Sequence, residues 1–185
     1  MIVSAKAMTH FSKNEALKKI VLTGPESSGK TSLAQKLAQH YRSDWVPEFA
    51  RHYLENLRRP YQKSDLLKIA EAQIEAENIK TAASTRFLFC DTDLITIKIW
   101  SEYRFGDCDP WILKQIEERT YHHYLLCKPD IAWQPDPLRE NPDDRESLYT
   151  RYKSELIFYK KSFSEIGGVE ASLRFQRALA ALAAV

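Results

Sequence analysis

Short apolar runs separated by longer amphipathic stretches set the pattern of this chain. Ile20-Val21-Leu22-Thr23, Trp45-Val46, Phe87-Leu88-Phe89-Cys90, Tyr124-Leu125-Leu126-Cys127 and Phe163-Ser164-Glu165-Ile166 have strand length and composition. Between them lie segments of helical character. One runs from Ser32 to about His40-Tyr41, and another covers about Ala50 to Leu57 before Arg58-Arg59-Pro60-Tyr61 breaks it. A third starts at a cap on Ser64 or Asp65, with Leu66, Leu67, Ile69, Ala70, Ile74 and Ile79 as its apolar stripe. Gln73 and Glu77 lie one turn apart on it and suit either a pocket or the polar face. Helices follow over Leu94–Tyr103, from about Trp111, and from Arg145 to about Lys160 with Leu148, Tyr152, Leu156 and Tyr159 inward. An alanine-rich helix through Arg174 and Leu182 closes the chain. Strands alternating with helices predict an α/β three-layer sandwich around a mainly parallel sheet of about five strands. Residues 1–17 read as a tail or an extra strand at Met1 to Ser4, and 18–185 as one domain.

The first apolar run empties into Gly24-Pro25-Glu26-Ser27-Ser28-Gly29-Lys30-Thr31 and then into a helical pattern. G-x-x-x-x-G-K-T between strand and helix is a Walker A phosphate loop, which makes the fold that of a P-loop NTPase. Its backbone N–H groups turn inward around phosphates, Lys30 reaches the β and γ phosphates, and Thr31 holds Mg²⁺, with Ser32 completing the lining. ATP and Mg²⁺ are the ligands this predicts.

Ligands of an open parallel sheet sit outside the carboxyl ends of its strands, so the residues there are the next candidates. Glu48 and Arg51 follow the second strand and fall on the same edge as the phosphate loop, with a surface pair at a strand-to-helix junction as the plain alternative. Asp91 ends the third strand in the Walker B manner and is expected on the metal side or as a catalytic base. Asp93 either contacts substrate or caps the helix at Leu94. Asp130 ends the fourth strand, and Gly167, after the last, permits close backbone approach to an adenine ring or simply turns the chain. Aromatic residues are dense over Trp100, Tyr103, Phe105, Trp111, Tyr121 and Tyr124, which offers stacking surfaces for a flat ring as well as core. The proline- and charge-rich stretch around 134–146 has no hydrophobic period and carries Arg139 and Arg145. It reads as a lid whose arginines neutralise a transferring phosphoryl group, or as an exposed connection.

Composition changes this picture little. With 44% hydrophobic and 28% charged residues the chain is ordinary globular protein, and a net charge of +2 gives no electrostatic case for nucleic acid. Cys90, Cys108 and Cys127 lack paired metal-ligand spacing and read as free thiols of a reducing compartment. No apolar stretch is long enough to span a bilayer and no signal-peptide pattern opens the chain, so a cytoplasmic protein is expected. A homo-oligomer is left open.

Taken together, G-P-E-S-S-G-K-T, P-E-F-A-R-x-Y-L, D-x-x-x-I-A-x-x-Q, F-C-D-T-D-L, Y-L-L-C-x-P-D-I-A-W, D-P-L-R and D-R resemble the ribosylnicotinamide kinase family. The resemblance runs from about Ile20 to Arg177 and is narrower towards the C-terminal kinase domain of multifunctional bacterial NAD-salvage regulators. It implies a nucleoside- and nucleotide-kinase-like sandwich that transfers the ATP γ-phosphate to the 5′-hydroxyl of nicotinamide riboside, giving nicotinamide mononucleotide. By the same resemblance Gly24 to Thr31 would bind ATP, Glu48 and Arg51 would hold the riboside or assist its hydroxyl, and Asp91 would serve the metal or the reacting proton. Arg139 and Arg145 would be the lid arginines. Trp100 and Tyr103, then Trp111 and Tyr53, would flank the nicotinamide ring. Kinases for other nucleosides or small metabolites remain open readings, as does an ATP sensor acting through a protein partner. The chain lacks the operator-binding and adenylyltransferase domains that precede the kinase in the multifunctional members, so neither of those activities is expected of it.

Overall fold

A computed structural model describes residues 16–84 and 86–185, and the expected tail or extra strand before residue 16 lies outside them. The apolar runs form a five-stranded sheet of order β2-β3-β1-β4-β5, comprising β1 (Lys18–Thr23), β2 (Asp44–Val46), β3 (Phe87–Asp91), β4 (His123–Cys127) and β5 (Phe163–Ile166). All four ladders are parallel, with Leu22 beside Asp91 and Thr23 beside Leu126. Side chains alternate along the strands. Ile20, Leu22, Phe87, Phe89, Leu125 and Cys127 face α1 (Lys30–Tyr41) and α7 (Ala171–Leu182). Val21, Leu88, Cys90, Tyr124 and Leu126 face α2 (Phe49–Glu55), α3 (Lys63–Ala83), α4 (Leu94–Phe105), α5 (Pro110–Glu118) and α6 (Arg145–Phe158). Burial on both faces explains why these strands read as continuous apolar runs.

The first crossover carries the chain from β1 to β3 through β2, and the next returns it past β1 to β4. The direction of winding therefore reverses at β1, where α/β sheets open a crevice at their carboxyl edge. Three local expectations give way to packing. α3 starts one residue after Gln62 rather than at Ser64 or Asp65, because the Asp65 carboxylate reaches back to accept the Gln62 N–H at 2.8 Å. Ile79 is 62% exposed, since the stripe drifts off the core towards the C-terminal end of this long helix. Gln73 and Glu77 are buried instead of forming a polar face: Gln73 Oε1 accepts the Phe49 N–H at 2.8 Å, and Glu77 accepts from Arg119 and Tyr121. All three cysteines are free and buried. Among the described residues no helix is long and apolar enough to cross a membrane.

Candidate active site

At the carboxyl end of β1 the chain has to turn sharply against β4. Gly24 adopts φ 133°, and a Cβ there would sit 2.5 Å from the Cys127 carbonyl oxygen, so only glycine fits. Ser27 and Gly29 both adopt left-handed backbone, at φ 53° and 79°, and the Ser28 hydroxyl donates to the Pro25 carbonyl at 2.7 Å. The resulting loop delivers its N–H groups to the start of α1, where the helix dipole also favours an anion. Lys30 Nζ donates to the carbonyls of Gly24 and Pro25, at 3.0 and 2.9 Å, and so lies across the loop it serves.

Asp91, the last residue of β3, is fully buried beside β1 and accepts the Thr31 hydroxyl at 2.5 Å through Oδ2. Its Oδ1 is buried with no partner. Burial, and secondarily the Glu48 carboxylate, push its pKa up to about 6, while Lys30 and Thr31 pull the other way. A buried carboxylate oxygen left over beside a threonine hydroxyl is a hard-oxygen donor pair of the kind that suits Mg²⁺. Among the described residues no group of three or more histidine, cysteine or acidic side chains could hold a metal. Any Mg²⁺ here would draw its remaining ligands from phosphate and water. Thr92 follows in left-handed backbone at φ 81°, an unusual state for a β-branched residue, and this kink turns the chain from β3 into α4.

One cavity joins this loop to a second half. Gly24 to Ser32 line one side. Glu48, Ala50, Arg51 and Leu54 of the α2 region, Thr96, Ile99, Trp100 and Tyr103 of α4, and Leu148 and Tyr152 of α6 line the other. Glu48 is placed by its position as N-cap of α2, directly after the β2 edge. Tyr61 lies 5.7 Å from Trp100, ring to ring, and backs that wall. Thr96 and Tyr152 carried no motif in the sequence. Only the pairing of α4 with α6 brings them to the cavity, with Thr96 Oγ1 3.3 Å from Thr23 Oγ1.

Residues 131–145 cross the mouth. Ile131, Gln134, Leu138, Arg139 and Asn141 face the cavity. Ser27 Oγ accepts the Gln134 N–H at 3.0 Å, and Glu26 Oε2 accepts the N–H groups of Glu140 and Asn141 at 3.0 and 3.2 Å. Arg51 pairs with Asp136 at 3.0 Å. The segment is thus fastened to the phosphate loop and to α2.

Several expected residues have other duties. Arg145 does not line the cavity: it donates to the carbonyls of Ser27 and Ile131 and lies over the Trp133 ring, because it opens α6 just behind the mouth. Asp93 is a buried cap, accepting the Ile95 N–H at 3.2 Å and the Tyr124 hydroxyl at 2.9 Å. Tyr53 donates to Asp65 at 2.8 Å, and Trp111 packs on the core from the start of α5, so neither forms a cavity wall. Asp130 is held by Arg174 and by the Gly168 N–H. Gly167 is explained by crowding, since a Cβ there would meet Asp130 Oδ2 at 2.8 Å.

A family model described as an AAA domain matches residues 19–171. The chain is also 27% identical over 124 residues to the trifunctional NAD biosynthesis/regulator protein NadR of Salmonella typhimurium strain LT2, and equally to that of Escherichia coli K12. Each match covers 65% of this chain but spans only 30% of the relative's length. Among solved structures, a NadR protein in complex with NR superposes with TM-score 0.74 at 20% identity, over 89% of this chain and 48% of that one. Thymidylate kinase of Ehrlichia chaffeensis follows at TM-score 0.63 and 13% identity, over 92% of this chain and all of that one. At these identities the structural matches establish the fold, that of nucleoside- and nucleotide-kinase-like P-loop proteins.

Proposed function

The chain belongs to the AAA-domain family, and we propose that within it the protein transfers the γ-phosphate of ATP to the 5′-hydroxyl of nicotinamide riboside, yielding nicotinamide mononucleotide. The observation that carries this reading is one cavity shared by a phosphate loop and by a wall that carries the Glu48 carboxylate and the aromatic rings of Trp100, Tyr103 and Tyr152. A hydrolase needs only the first half, whereas transfer to an organic acceptor needs both. The acceptor's identity rests on the sequence resemblance, on the NadR relatives, and on a solved structure described as a NadR protein in complex with NR.

In this reading the loop N–H groups of Gly24 to Thr31 bind the phosphates, and Lys30 exchanges its two carbonyl partners for phosphate oxygens. Thr31 and Asp91 would hold Mg²⁺, which neutralises charge on the phosphates when bound. Glu48 lines the cavity while Asp91 lies buried against Thr31, which supports Glu48 as the carboxylate that orients the 5′-hydroxyl and accepts its proton. Trp100 and Tyr103 offer the ring a wall, and Arg51 and Arg139 bring positive charge from α2 and from the lid. The lid over 134–146, latched by Glu26 and Ser27, keeps water from the reacting phosphate.

A panel of acceptors with ATP consumption followed tests the proposal. Riboside-dependent formation of nicotinamide mononucleotide is the expected result. Faster turnover with a purine or pyrimidine nucleoside would replace the acceptor, and saturable ATP binding without acceptor-stimulated turnover would replace the reaction with a sensing role.

A further inference from the structure

Arg174 lies in the first turn of α7 and is only 5% exposed, an unfavourable place for a cation on both counts. Five acceptors offset that cost. Its Nε donates to the Gly168 carbonyl at 2.7 Å, Nη1 to those of Ser28 and Ile166 at 3.1 and 3.3 Å, and Nη2 to the Lys128 carbonyl at 2.5 Å and to the Asp130 carboxylate. Asp130 is itself fixed by the Gly168 N–H at 2.5 Å, and Gly167 leaves it room. Four of the contacts tie together the ends of β4 and β5 and the turn into α7. The fifth, to Ser28, reaches the phosphate loop from 146 residues away.

We propose that Arg174 is a positioning residue for the bound triphosphate, acting through the Ser28–Gly29 peptide. The peptide is planar and trans, so a Ser28 carbonyl held against Arg174 aims the Gly29 N–H the opposite way, towards the cavity that Gly29 lines. The flanking residues, Ser27 and Gly29, are both left-handed, so regular helical bonds do not supply that orientation. A planar guanidinium with five donors meets these diverging carbonyls, which an ammonium on a flexible stem cannot do. The inference rests on the reading of Gly24 to Thr31 as a triphosphate site.

The test compares Arg174→Lys with Asp130→Asn, measuring ATP·Mg²⁺ binding by calorimetry, KM for ATP and for nicotinamide riboside, and Tm. Asp130→Asn removes a carboxylate from the cluster but leaves the bond to Ser28. We expect Arg174→Lys to weaken ATP about tenfold with the riboside KM unchanged, and Asp130→Asn to lower Tm while keeping ATP affinity within about twofold. Wild-type ATP affinity in Arg174→Lys, or parallel losses of ATP affinity and Tm in the two variants, would overturn the proposal. A second measurement needs no variant. In the wild-type protein the Gly29 amide resonance should shift on ATP·Mg²⁺ addition while the Arg174 side-chain N–H signals stay protected from exchange, and a silent Gly29 amide would overturn the proposal. A wild-type protein that binds no ATP would instead remove the triphosphate reading itself.

Discussion

Lys30 holds two loop carbonyls at 2.9 and 3.0 Å, and each is a neutral partner that a phosphate oxygen outcompetes. Its removal should therefore cost the loop little structure and the reaction a great deal. Lys30→Ala is expected to lower kcat by about 10²–10³-fold while nicotinamide riboside binding, followed by calorimetry, stays within about twofold of wild type. Wild-type turnover in that variant would remove the loop from the reaction. Asp91 is a different case, because its Oδ1 is buried without a partner and burial raises its pKa. The sequence motif put Asp91 beside the loop. Its orphaned oxygen, and its burial against Thr31 while Glu48 lines the cavity, emerge only from packing.

At the scale of elements, the strands were legible because they are apolar runs buried on both faces, and the helices after β3 were legible to within a residue or two, expected over Leu94–Tyr103 and from about Trp111 and found over Leu94–Phe105 and from Pro110. What was not legible depends on partners distant in sequence. Glu77 is buried by Arg119 and Tyr121, and Arg145 is diverted to Ser27 and Ile131, none of which a helical wheel can show. Asp65 shows the same point at the start of α3. Arg59 donates two bonds to it at 2.7 and 2.8 Å, and these hold its pKa well below the usual carboxylate range against the opposing effect of burial; Gln62 N–H and the Tyr53 hydroxyl assist. Because the folded pKa is lowered, this contribution is complete above the unfolded value of about 4 and is lost as pH falls below it. Wild type should therefore lose more Tm between about pH 5 and 3 than Asp65→Asn, which is expected to be less stable at neutral pH. Equal acid sensitivity of the two would contradict the ion pair's role. For the segment across the cavity mouth, Glu26→Ala removes the acceptor of two backbone N–H groups, so amide exchange at Glu140 and Asn141 should accelerate about tenfold or more. Unchanged exchange would mean that other contacts hold the segment.

The whole molecule places its site by topology. Winding reverses at β1, which brings the ends of β1, β2, β3 and β4 to one edge and turns separate motifs into one cavity. That edge was readable from the phosphate-loop motif and the alternation of strands with helices, as was the P-loop sandwich, whereas the strand order was not. The ring-facing wall was readable in part: Trp100 and Tyr103 line it, whereas Trp111 and Tyr53 do not, since helix rotation decides which side of α4, α5 or α2 faces inward. The chain spans 30% of the length of its NadR relatives, so what it does as a unit has to be measured on this chain itself. The most direct measurement is a single-turnover reaction of γ-labelled ATP, Mg²⁺ and nicotinamide riboside with the protein in excess. Label is expected in nicotinamide mononucleotide, one equivalent for each ADP formed. Label released only as inorganic phosphate, or no ADP formed despite bound ATP, would contradict the proposed transfer.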